Sequence, residues 1–92
     1  MSQKYIIRTD RAGVFVAEIA ERRGSECDLL NARRIHYFNR ATECIGISQS
    51  GVGNGSRLTV TIPSMTVLGV IEVLPCTAVA QKNLEEWPEW TS

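Results

Sequence analysis

Three short segments of alternating apolar and polar residues, separated by two tight turns, constrain this fold most strongly. The segments are Lys4–Thr9, Val14–Glu21 and Glu26–Leu30, and the turns are Asp10–Gly13 and Arg22–Ser25. Alternation with a period of two is typical of half-buried strands, and connections this short join neighbouring strands as hairpins. The sequence therefore predicts an antiparallel sheet in the N-terminal third of the chain.

Two further strands are predicted in the C-terminal half. Arg57–Ile62 alternates, so Leu58, Val60 and Ile62 are expected to point inward. Met65–Leu74 is apolar on both faces, and Pro75 ends that segment. A strand that is apolar on both faces is typical of the middle of a sheet. We therefore expect Ile71 and Val73, together with Val67, to lie near the sheet's centre.

Two short helices complete the predicted architecture. Residues 41–48 show helical spacing with Asn39 as a candidate N-cap, and a second helix is expected to begin after the N-cap Thr77. Tryptophan is costly to leave in water, so we expect either Trp87 or Trp90 to dock on the sheet and hold the C-terminus. Residues 1–92 are thus predicted to form a single α+β domain, with an antiparallel sheet of about five strands and two short helices.

Composition agrees with one small globular domain. The chain has 92 residues, 43% of them hydrophobic, and a formal net charge of zero. A domain of this size buries only about three-fifths of its unfolded surface, so a homo-oligomer is one option. No apolar run reaches the ~20 residues of a membrane span, and no secretory leader is recognisable. These features predict an intracellular protein without membrane contact.

Charge is distributed unevenly along the chain. Residues 1–40 hold eight Lys or Arg and five Asp or Glu, whereas residues 41–92 hold two and five. The basic half is suited to an anionic partner. The alternative is internal neutralisation within the folded domain.

The stretch Ala32–Arg40, ARRIHYFNR, concentrates arginines and aromatic residues. A break in the chain is expected at Asn31 and Ala32, before this stretch. If the stretch is a strand, we expect Ile35 and Tyr37 to point inward, with Arg33 near the strand's loose start. Guanidinium groups present planar donors that match phosphate and carboxylate. The alternative is a solvated strand with arginines paired to glutamates. The predicted binding residues are Arg22, Arg23, Arg33, Arg34, His36, Phe38, Arg40 and Arg57.

The residues indicate neither catalysis nor a bound metal or cofactor. Cys27, Cys44 and Cys76 are widely spaced, and His36 is the single histidine, so a structural zinc site is disfavoured. A catalytic Cys–His pair is conceivable but lacks a motif. We expect three free cysteines that pack as small hydrophobic residues, in a protein that is not an enzyme.

Three motifs resemble, in the same order, those of a family of small proteins encoded by phages and prophages. They are KYIIRTDRAGVF at residues 4–15, NARRIHY at residues 31–37 and VIEVLPCT at residues 70–77, followed by a Pro-Xaa-Trp ending at residues 88–90. This chain differs from that family's pattern at His36, where tryptophan is usual, and at residues 40–43. The family has no assigned chemistry.

The resemblance implies a viral accessory protein that acts in the host cytoplasm. Such proteins are often inhibitors of host defence, including anti-CRISPR proteins that bind an effector nucleoprotein with its guide RNA. Two alternatives stay open. One is a protein that sequesters a nucleotide signal, with Tyr37 or Phe38 stacking on a base, and the other is a structural virion protein.

Overall fold

The computed structural model describes residues 3–37 and 44–90, which form an antiparallel sheet with two helices. The predicted α+β fold class is therefore confirmed. In chain order the elements are β1 (Tyr5–Thr9), β2 (Val14–Arg23), β3 (Glu26–Tyr37), α1 (Cys44–Ser50), β4 (Arg57–Leu58), β5 (Ile62–Val67), β6 (Val70–Pro75) and α2 (Ala78–Glu86).

The sheet is organised around the β1–β2–β3 meander that the sequence predicts. β4 and β5 both pair with β3, one after the other along its length, and β6 pairs with β1. Only Leu68 and Gly69 connect β5 at one side of the meander to β6 at the other, so the sheet must curl until its two sides meet. The Asp10 amide donates to the Gly69 carbonyl at 2.8 Å and closes this corner.

The prediction of one central strand over Met65–Leu74 is wrong. This segment forms two strands, β5 and β6, each paired with a neighbour strand along one side. Ile71 is 57% exposed, so it is not at the centre of the sheet. The chain turns at Gly69, whose φ of +72° suits glycine. The segment is apolar on both faces because it contains two strands joined at this corner, and not because one strand is buried between two neighbours.

The predicted strand Arg57–Ile62 is also wrong in its extent. Only Arg57 and Leu58 pair as β4, and pairing with β3 resumes at Ile62 in β5. Leu58 is buried as expected, but Val60 and Ile62 are exposed.

A bulge at Asn31 replaces the predicted break before the basic stretch. Val16 faces Arg33 and Glu18 faces Leu30, so two residues of β3 lie opposite Ala17. Asn31 has a φ of +50°, a conformation that asparagine tolerates better than most residues. Its side chain donates to Glu18 at 3.0 Å. Because the strand continues through the bulge, the basic stretch begins in mid-strand.

The curled sheet has a core on each face. Helices α1 and α2 cover one face, around Ile6, Val16, Ile35, Leu58, Ile47 and Leu84. The second core lies within the curl and contains Ile7, Phe15, Ala17, Cys27, Leu29, Ala32, Val67 and Val70. Neighbouring residues of one strand serve opposite cores, as the period of two requires.

The helices are short. α2 has the predicted N-cap, since the Thr77 hydroxyl accepts from the Ala80 amide at 3.1 Å. The predicted start of the first helix, with Asn39 as its cap, lies outside the described residues, and α1 is described from Cys44 onward. Within the described residues, neither helix has the length and apolar character needed to cross a membrane.

Candidate functional site

Arg33 is buried and stabilises the fold through its hydrogen bonds. It is only 4% exposed. Its guanidinium donates to the carbonyls of Thr59 (2.8 Å), Leu84 (2.7 Å), Trp87 (2.7 Å) and Pro88 (3.3 Å). Burial lowers the pKa of Arg33, and nearby Glu89 opposes that effect. The predicted place of Arg33 at a loose strand start, available to a partner, is therefore wrong.

Arg34 lies on the opposite face of β3 and is exposed. Its Cζ lies 5.1 Å from the centroid of the Phe15 ring, a cation–π geometry. The Arg34 amide donates to the Thr59 hydroxyl at 2.9 Å, and the Arg34 carbonyl accepts from the Thr59 amide at 3.0 Å. The side chain thus projects from a fixed backbone over an aromatic surface.

His36 and Arg57 both contact Trp90 near the end of β3. The His36 and Trp90 rings stack with centroids 4.8 Å apart and planes inclined by 8°. Arg57 places its Cζ 5.3 Å from the Trp90 ring centroid. Ile35 pairs with Leu58 and both belong to the core beneath the helices, so their neighbours Arg34 and Arg57 lie on the opposite face of the sheet. The β3–β4 register shifts at His36, between Ile35 and Tyr37. We call Arg34, Arg57 and the stacked His36–Trp90 pair the basic-aromatic strip.

Both tryptophans pack against the folded domain, whereas the sequence predicts that one of them docks on the sheet. The Trp87 indole packs against the helix-side core and donates to the Ser56 carbonyl at 3.0 Å. The Trp90 amide donates to the Leu58 carbonyl at 2.8 Å, so the C-terminal segment runs along β4. Both rings therefore have intramolecular contacts, which leaves them less available as aromatic anchors for a protein partner.

The arginines of the β2–β3 turn differ from each other. Arg23 forms ion pairs with Glu21, Glu26 and Asp28. The hydrogen bonds that Arg23 donates to Asp28 and, next in size, to Glu26 raise the pKa of Arg23. The same bond to Asp28 lowers the pKa of Asp28. Three carboxylates therefore neutralise Arg23, which fits the alternative of internal neutralisation within the folded domain.

Arg22 is exposed, with its Nε 3.4 Å from the Gly24 carbonyl. It lies at the tip of the β2–β3 hairpin, away from the basic-aromatic strip on the last residues of β3. The predicted binding residues thus do not form one cluster. Phe38 and Arg40 lie outside the described residues.

A groove of about 500 Å³ adjoins the strip at Arg34. Its walls are the β1–β2 turn and the corner between β5 and β6. The lining residues are Asp10, Arg11, Ala12, Arg34, Met65, Thr66, Val67, Leu68 and Gly69. We call it the corner groove. Sequence reasoning missed it because the curl of the sheet brings residues 10–12 and 65–69 together.

The thiols are free and buried, as predicted. Burial raises the pKa of Cys76 to about 11 and also raises the pKa of Cys27. A thiol with such a pKa is a poor nucleophile near neutral pH, because the thiolate is the reactive form. Within residues 3–37 and 44–90, no three His, Cys, Asp or Glu side chains come together in an arrangement suited to a metal.

Of the comparisons with known proteins, one gives a match. No significant match was found among curated proteins or among solved structures. A family model described as a domain of unknown function, DUF6948, matches residues 2–84. Since this match covers most of the 92 residues, the chain belongs to the DUF6948 family.

Proposed function

We propose that this protein is a non-enzymatic binding protein whose interface is the basic-aromatic strip. The observation that carries the proposal is the fixed position of two exposed guanidinium groups, Arg34 over Phe15 and Arg57 over Trp90. Both arginines project from paired strands, so little conformational freedom is lost when a partner binds. Guanidinium groups held in this way suit phosphate or carboxylate groups on a partner surface.

The proposed biological setting is a phage accessory protein that inhibits host defence in the host cytoplasm. An anti-CRISPR protein that binds an effector nucleoprotein is the specific form of this proposal. Its support is the family resemblance in the sequence motifs together with the chemistry of the strip, since a nucleoprotein presents phosphate beside protein.

Sequestration of a nucleotide has weaker support. A base would need a free aromatic face for stacking. Among the described rings at the strip, Trp90 contacts His36 and Arg57, and Phe15 is buried beneath Arg34. The side chains of Tyr37 and Phe38, which this hypothesis names for stacking, lie outside the described part of the structure.

A capture experiment with matched charge-reversal variants tests the proposal. The protein is immobilised and exposed to lysate of the cell that carries the gene, with and without nuclease treatment. The strip variant combines Arg34→Glu with Arg57→Glu. The control combines Arg8→Glu with Arg22→Glu, which changes the net charge equally at exposed positions outside the strip.

We expect the wild type and the control to capture the same target, and the strip variant to lose it while staying folded. Capture that survives nuclease indicates a protein surface, and capture that nuclease removes indicates nucleic acid. Equal capture by all three proteins would exclude the strip as the interface. A stable symmetric oligomer that captures nothing would favour a structural virion protein instead.

A further inference from the structure

The corner groove combines an apolar lining with positive charge. Leu68 is 65% exposed at the β5–β6 corner. Met65 and Val67 continue the apolar lining from β5, and Arg11 and Arg34 provide two cations against the single carboxylate of Asp10. An occupant that matches this lining has an apolar group beside a carboxylate or another anion.

One side of β5 is open next to this groove. β5 pairs with β3 along one edge, and no strand among residues 3–37 and 44–90 pairs with its other edge. An unpaired edge offers backbone donors and acceptors to an added strand. The β5 residues Met65, Thr66 and Val67 also line the groove. A segment paired to β5 would therefore lie beside residues that line the groove.

The lining favours a peptide over a nucleotide. None of the side chains that line the groove is aromatic, so a base would find no ring for stacking. Methionine is unbranched and adapts to varied aliphatic side chains. In an extended peptide, residues two positions apart point to the same side, about 7 Å from each other. One such pair can offer a carboxylate to a guanidinium and an aliphatic group to Leu68.

We propose that the corner groove binds an extended segment of a protein partner that presents a carboxylate and an aliphatic side chain on one face. The proposal rests on the binding role of the strip and names the chemistry of the partner at its Arg34 end. The partner strand adds to the free edge of β5. Its acidic residue pairs with Arg34, and its aliphatic residue packs on Met65 and Leu68.

Selection from an unbiased library of short random peptides tests this assignment. The library is selected separately on the wild type, on Arg34→Gln, on Leu68→Ser and on the control Arg22→Gln. All three substitutions are at exposed positions, and thermal unfolding confirms that each variant is folded. We expect the wild type and the control to enrich peptides with Asp or Glu two positions from Leu, Ile, Val or Met. Neither groove variant should enrich them.

Affinity measurements on one enriched peptide give the magnitude. Fluorescence anisotropy of the labelled peptide should show binding weakened about tenfold or more by Arg34→Gln, the loss expected for a hydrogen bond to a charged group. Replacing the peptide's acid by its amide should have a similar effect on the wild type and little effect on Arg34→Gln. This non-additivity identifies the two groups as partners.

Several outcomes would overturn the proposal. They are the absence of enrichment, enrichment of basic or wholly apolar peptides, and retention of the enriched peptides by both groove variants. Displacement of the peptide by a short mixed-sequence RNA that itself loses affinity with Arg34→Gln would assign the groove to nucleic acid. If Leu68→Ser captures the cellular target normally while the strip variant does not, the strip is the interface and the groove is not part of it.

Discussion

Replacing Arg33 is expected to destabilise the fold strongly, although sequence alone had placed this residue in a binding surface. Its guanidinium joins two segments that are distant in sequence, since it donates to the Thr59 carbonyl and to the carbonyls of Leu84, Trp87 and Pro88. The last three belong to the end of α2 and the segment after it. A positive charge at this position also complements the partial negative charge at a helix C-terminus.

The magnitude follows from the four hydrogen bonds. Arg33→Met keeps an unbranched apolar side chain but removes every donor, and carbonyls that are buried without a partner cost free energy. At about 1 kcal/mol for each bond the loss is about 4 kcal/mol. Relief of the burial cost of the guanidinium offsets part of this loss, so we expect a decrease of about 3 kcal/mol in the free energy of unfolding. For a domain of this size that corresponds to about 12–24 °C in melting temperature.

Urea unfolding followed by tryptophan fluorescence measures this change, because Trp87 and Trp90 both lie in the segment that Arg33 holds. Arg34→Met is the matched control. It removes the same group from the neighbouring position, where the guanidinium is exposed, and should cost no more than the ~1 kcal/mol of an exposed cation–π contact. If Arg33→Met loses no more stability than Arg34→Met, the structural role assigned to Arg33 is refuted.

The remaining predictions concern backbone geometry, pH, thiols and local stability. In urea unfolding, Gly51→Ala should lower the free energy of unfolding more than Gly24→Ala. Both glycines have positive φ, but a Cβ at Gly51 would overlap the Asn83 side chain, whereas a Cβ at Gly24 would face open space. Hydrogen bonds from Arg23 and Thr66 lower the pKa of Asp28 from its ordinary value. The ionised Asp28 carboxylate therefore stabilises the fold above the ordinary pKa, and this stabilisation is lost as the pH falls through the lowered pKa. The melting temperatures of the wild type and Asp28→Asn should converge as the pH falls through that lowered pKa. Cys76, with its pKa of about 11, should react slowly with iodoacetamide at pH 8 unless the protein is unfolded, and a reducing agent should leave the melting temperature unchanged. Hydrogen exchange should be slowest in β1 and β2, which have neighbours on both sides, and faster in β6.

The local part of the fold was accessible from sequence. The β1–β2–β3 meander and the cap of α2 depend on turn residues and on alternation over a few positions, and both were predicted. The sequence did not reveal where the longer strands are interrupted. The pattern of Met65–Leu74 contains no proline and only one glycine, Gly69. Whether that glycine turns the chain depends on its hydrogen bond with Asp10, more than fifty residues away.

The different environments of Arg33 and Arg34 explain why the candidate site was only partly predicted. Alternation assigned Arg33 to the same face as Ile35, and this is correct, but the expected break at Asn31 placed Arg33 at a loose strand end. In the structure the extra residue at Asn31 exchanges the two faces within one continuous strand. Leu29, before the bulge, faces the core within the curl, whereas Ile35, after it, faces the helices. Arg33 is consequently carried to the buried carbonyls beside α2, and Arg34 is left on the surface above Phe15. A one-residue bulge therefore decides which of two adjacent arginines supports the fold and which is available to a partner.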